Sequence, residues 1–173
     1  GLPWLVNPVL GGLNILLIHA LFRELYSLRT ARLSVLLLCF SPWYLFMSMN
    51  FMAHTATLTF ALIAALGIVW VRKTQKPMLA LLAGCAVGAT SLICPLDGLA
   101  VAVTLSLWAA GLGGQRLKFS SFAVFMIGIF LVGAVIFPYN YALTGNPTVF
   151  SLTAFYEEYF EPGSFSLGFG PDR

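Results

Sequence analysis

Six apolar runs, at about 5–22, 33–49, 55–71, 78–94, 98–113 and 119–137, follow one another along the chain, and charge is confined to the breaks between them and to the tail beyond the last. Each run comes close to the roughly 20 residues that an α-helix needs to cross about 30 Å of hydrocarbon. From Pro77 to Gln115, 39 residues hold a single charged side chain, Asp97. That stretch is too long for one crossing. Pro95 and Gly98 divide it into a hairpin of two helices, because proline starts or ends a helix and glycine permits a tight turn. The pattern predicts an all-α, polytopic transmembrane bundle of about six spans over 1–137, followed by an aromatic-rich extracytoplasmic segment over 138–173.

Composition agrees with the pattern. Hydrophobic residues make up 60% of the 173 and charged ones 9%, with a mean hydropathy of +0.92. A soluble domain carries roughly 25% charge, so this chain cannot clothe itself in polar surface. It reads as an integral multi-pass membrane protein whose first partner is the lipid bilayer. The net charge of +3 is not a nucleic-acid patch, because its distribution along the chain says more than its sum. Arg23, Arg29 and Arg32 lie between the first two runs, Arg72, Lys73 and Lys76 between the third and fourth, and Arg116 and Lys118 between the fifth and sixth. Under six crossings all eight fall on one side. The other side holds His54, Asp97 and the tail with Glu157, Glu158, Glu161, Asp172 and Arg173. The positive-inside rule makes the basic loops cytoplasmic. The membrane is then a plasma or inner membrane, or an endoplasmic reticulum.

Cys39, Cys85 and Cys94 sit in apolar runs, odd in number and without metal-ligand spacing, which makes them packing thiols. The chain opens at Gly1 rather than Met and ends in "GFGPDR", so it reads as a piece of a longer membrane protein. Gly84 and Gly88 form a small-xxx-small pair that lets a neighbouring helix approach.

Candidate chemistry collects on the outer side. Asp97 falls in the first turn of the fifth span, where a carboxylate complements the helix dipole and stays hydrated, or faces a cavity and binds a hydroxyl or cation. His54 starts the third span at a similar depth, where an imidazole hydrogen-bonds a neighbouring helix, donates to a phosphate oxygen or shuttles a proton. His19, deep in the first span, reads as an interhelical hydrogen-bonding group. The segment after Pro138 is rich in Tyr and Phe; "TGNP" at 144–147 is a turn signal, and "VFSLTAFYEEYF" at 149–160 predicts a short helix lying at the interface. Tyr139, Asn140 and Tyr156 are placed there as candidate substrate contacts. Arg173 is the only Lys or Arg on that side. Glu157 and Glu161, at i, i+4, are weak candidates for a divalent cation, since no calcium-loop spacing accompanies them. No cofactor is otherwise indicated.

The stretch "NPVLGGLNILLIHALFRELYSLRTARLSVLLLCFSPWYLFMSMNFMAHT" resembles the middle of GT-C type membrane glycosyltransferases, among them protein O-mannosyltransferases and lipid A aminoarabinose transferases. Those families show an apolar span, a basic "RELY"-like turn, another apolar span, and "SP" ahead of an outer loop. Gly12, Arg23, Ser41 and Pro42 match that order over about 7–97, and the likeness is looser over 138–173. The resemblance implies transfer of a sugar from a polyprenyl-phosphate carrier to an extracytoplasmic glycan, lipid or protein acceptor. It also implies a general-base aspartate in a first outer loop, upstream of Gly1, with no counterpart here. His54 stands where relatives often carry an acid, and Cys94 where some carry a basic residue. Both are departures from the family pattern; it is their position on the outer side that makes His54, Asp97 and Arg173 the expected polar contacts lining an outer cavity. A transporter or flippase for a lipid-linked solute, and a non-catalytic scaffold, are the other classes this pattern accommodates; the lack of an internal repeat counts against the transporter.

Overall fold

The structure, a computed structural model, describes residues 3–159, the side chain of Glu157 excepted. Among these residues there is no strand. After a 3-10 turn at Pro3–Leu5 come α1 (Val6–Leu25), α2 (Leu28–Cys39), α3 (Pro42–Met49), α4 (His54–Thr74), α5 (Pro77–Ile93), α6 (Pro95–Ala110), α7 (Phe119–Gly133), α8 (Ile136–Thr144) and α9 (Ser151–Tyr159). Proline opens α3, α5 and α6 at their first position, where its missing N–H costs nothing. Ser27 and Ser41 cap α2 and α3, their hydroxyls accepting the Thr30 and Tyr44 N–H at 3.2 and 3.4 Å.

All six apolar runs are helical, and three stretches are long and apolar enough to cross a membrane: Pro3–Leu25, His54–Thr74 and Phe119–Thr144. The run at 33–49 is not one straight span. α2 and α3 are bent by 66° where Ser41 and Pro42 interrupt the ladder, so together they make a fourth, broken candidate. α5 and α6, of 17 and 16 residues, are apolar but shorter. The hairpin between them also differs from its expected form. The chain turns at Cys94, in extended conformation, and Gly98 lies inside α6. A Cβ at Gly98 would stand 2.3 Å from the Ser91 Cα, so its bare backbone serves the packing of α6 on α5, not the turn.

Two compact units divide the chain, residues 1–133 and 134–173. The first is built around α5, whose residues are small on two faces. Ala80, Ala83, Ala86 and Val87 pack with Ala64, Ile68 and Val71 of α4 and Phe125 of α7 in the main core, which also takes in Ala109 and Leu117. Gly84 meets α7 backbone to backbone: a Cβ on it would lie 2.0 Å from the Phe125 carbonyl oxygen, and one on Gly128 would lie 2.5 Å from the Leu81 carbonyl oxygen. The small-xxx-small pair thus has a partner glycine on α7, and the close approach is reciprocal. A second core joins Leu21 of α1 to Leu62, Ala65, Leu66 and Val69 of α4. Large apolar side chains point outward, with Leu16, Leu37, Phe40, Met49 and Phe119 each more than 65% exposed. Such a surface is unstable in water and suited to lipid.

In the second unit, α8 ends at Gly145 in left-handed conformation, and the Asn146 carboxamide accepts from the Thr148 N–H at 3.0 Å, so "TGNP" does form a turn. The helix expected at 149–160 is present as α9, where Phe155 contacts the rings of Tyr156 and Tyr159.

Candidate functional site

The ends of the first unit differ in chemistry. The C-terminal ends of α1, α4 and α6 line one cavity, which includes Arg72 and Lys73, and the N-terminal ends of α4 and α6 lie together at the other end of those helices. At that second end His54, first residue of α4, and Asp97, in the first turn of α6, face one another with Nδ1 to Oδ2 at 3.7 Å. Two residues 43 positions apart, picked out separately in the sequence, form one pair. The separation exceeds a hydrogen bond of about 2.7–3.2 Å, so the two groups are neighbours rather than bonded partners. Both side chains are open, 58% and 41% exposed, which leaves the second ring nitrogen and the carboxylate available to a ligand. Among the described residues it is the only ion pair that involves a histidine.

What fixes His54 is a polar seam that the sequence reading passed over. Asn7 of α1 donates from Nδ2 to the Asn50 and Met52 carbonyls at 2.5 and 2.9 Å, tying down the loop that leads into α4. Asn50 reinforces it, its Oδ1 accepting the Met52 N–H at 2.9 Å. Two turns further along α1, the fully buried Asn14 donates to the Thr55 carbonyl at 3.1 Å, and the Thr55 hydroxyl donates to the Met47 carbonyl at 3.0 Å. The Tyr44 hydroxyl donates to the Gly11 carbonyl at 2.6 Å. Asn14 Oδ1 is buried with no donor. Asn in an apolar run was the available signal, since such a group is satisfied only by a neighbouring helix. A cavity of about 150 Å³, lined by Trp4, Asn7, Asn50 and Phe51 among others, opens at this end.

The other described candidates, Tyr139, Asn140 and Tyr156, belong to the second unit. Tyr139 is exposed on α8. Asn140, 2% exposed, donates its Nδ2 to the Pro147 carbonyl at 3.3 Å, so its amide is committed to the turn that follows. Tyr156 is half-buried on α9. Arg173 and Glu161, and the side chain of Glu157, lie outside the described residues, and among those described no three His, Cys, Asp or Glu side chains gather as a metal site would require. His19 is half-buried on α1 and hydrogen-bonds to nothing among the described residues, contrary to the interhelical role expected of it. No protein-family model, no curated protein and no solved structure matches the chain.

Proposed function

We propose that the chain is part of an integral membrane glycosyltransferase of the GT-C kind, with six crossings and basic loops in the cytoplasm, which moves a sugar from a polyprenyl-phosphate donor to an extracytoplasmic acceptor. The observation that carries the reading is the His54–Asp97 pair, open at the end opposite the basic loops. His54 donates from its outward ring nitrogen to a phosphate oxygen of the donor as the glycosidic bond breaks and charge builds on the leaving phosphate, with Asp97 beside the ring. The sequence resemblance over 7–97 supports the same end as the reacting one. Under this reading the base that takes the acceptor proton is supplied from outside 1–173, and His54 and Asp97 are donor contacts.

The test is transfer of labelled sugar from polyprenyl phosphate in membranes whose native gene carries His54→Gln or Asp97→Asn. Loss of a single transition-state donor lowers rates by about a hundredfold or more. Covalent product that falls that far at unchanged protein abundance supports transfer. Uptake or translocation of the lipid-linked sugar without any covalent product replaces transfer with transport. Product formation indifferent to both substitutions removes the pair from the site.

A further inference from the structure

We infer that the cavity at the basic end, opposite the His54–Asp97 pair and independent of it, binds a phosphate group, carried by an anionic lipid headgroup or free in solution. The cavity measures about 700 Å³ and is lined by the ends of α1, α4 and α6 together with Gly113, Gly114 and Gln115. That volume is in the range of small-ligand sites.

Three charged side chains line it, and their pairing decides its sign. Glu24 is taken by Lys73, through a short contact, and by Arg23 at 3.5 Å. Arg72 has no carboxylate partner among the described residues. Its cationic charge is therefore the uncompensated one in the cavity.

Arg72 is also held ready. Its Nη2 donates to the Trp108 carbonyl at 2.6 Å, and the guanidinium carbon sits 4.3 Å from the centre of the Trp108 ring. The bond to Trp108 caps the C-terminal turn of α6, which a cation favours. That bond uses only part of a five-donor fork. Nε is buried without an acceptor. Nη1 has none either, and a Cβ at Gly114 would be 3.8 Å from it, so the bare Gly114 leaves this side of the guanidinium uncovered. A stacked, oriented guanidinium with unused donors is the arrangement that recognises phosphate oxygens. The lining pushes the same way, because Lys73 and Arg72 together outnumber its single carboxylate, Glu24.

The full chain in dodecyl maltoside micelles is titrated with short-chain phosphatidylglycerol, short-chain phosphatidylcholine and inorganic phosphate, and heats are read by calorimetry. Wild type is compared with Arg72→Gln and with Gly114→Val, which puts a side chain over Nη1 at a position with room for its Cβ. Saturable phosphatidylglycerol binding that both variants weaken by about tenfold or more, with phosphatidylcholine inert, supports the site with a lipid source. Saturable binding of inorganic phosphate with the same sensitivity supports it with an aqueous source. Binding of equal strength in wild type and Gly114→Val, or no saturable binding of either anion, overturns the proposal. Should Arg72→Gln fail to fold, Gly114→Val decides alone.

Discussion

Replacing Gly84 by alanine adds one methyl group where two helix backbones touch. The new Cβ would lie 2.0 Å from the Phe125 carbonyl oxygen, 3.0 Å from its carbon and 3.1 Å from the Gly128 Cα. A normal carbon-to-oxygen contact of this kind is about 3.4 Å, so α5 and α7 must part by more than an ångström locally. No flexible side-chain tip is available to swing away, because all three atoms are main chain. A gap of about 0.5–1 Å already forfeits a quarter to a half of each dispersion contact, and the contacts at stake include those of the fully buried Phe125 and Val87. Overpacking costs about 1–3 kcal/mol and occasionally more. With backbone on both sides the upper end applies, and the roughly 1 kcal/mol by which alanine exceeds glycine in helix propensity offsets part of it. A net loss of about 2 kcal/mol is expected. Gly12→Ala supplies the control, since a Cβ at Gly12 meets nothing within 4 Å and only the propensity gain remains. Reversible unfolding in mixed micelles, titrated with dodecyl sulfate and followed by circular dichroism, measures both. A Gly84→Ala variant within about 0.5 kcal/mol of wild type would refute the argument that α5 and α7 pack backbone to backbone.

Other expectations follow from the same geometry. Tyr44→Phe removes the buried hydroxyl that donates to the Gly11 carbonyl at 2.6 Å, and should cost about 1 kcal/mol in the same titration. Gly98→Ala drives a Cβ to 2.3 Å from the Ser91 Cα, so it should destabilise the α5–α6 hairpin by about 2 kcal/mol or more; wild-type stability would show that α6 sits elsewhere. For sidedness, single cysteines at Gln115 and Met52, in a background without Cys39, Cys85 and Cys94, should react with an impermeant maleimide from opposite faces of sealed vesicles. Labelling of both from one face would sink the six-crossing topology.

The helices were legible in the sequence because apolar runs of this length have one stable solution in lipid, where every backbone group must bond within its own segment. Pro95 and the "TGNP" turn likewise declared themselves through local stereochemistry. The break at Ser41 and Pro42 was written in the sequence, but the 66° bend and the bond from Tyr44 to Gly11 that ties α3 to α1 are tertiary matters. Gly98 misled for a related reason: a glycine that turns the chain and one that admits a neighbouring backbone look alike until the neighbour is known. His54 and Asp97 were each visible as polar exceptions near a span boundary, whereas their pairing depends on α4 and α6 running in the same direction side by side. Arg72 was hidden among its basic neighbours, because only the structure separates it from Lys73, which has a carboxylate, and gives it Trp108 as a platform.

The most direct test of the account places the donor on the molecule. A photoreactive polyprenyl-phosphate sugar is irradiated with the protein in its native membrane, and the labelled peptides are sequenced. The account predicts label around His54 and Asp97, displaced by unlabelled donor and lost in His54→Gln. Label confined to the Arg72 cavity, or label at His54 that excess donor does not displace, would contradict it.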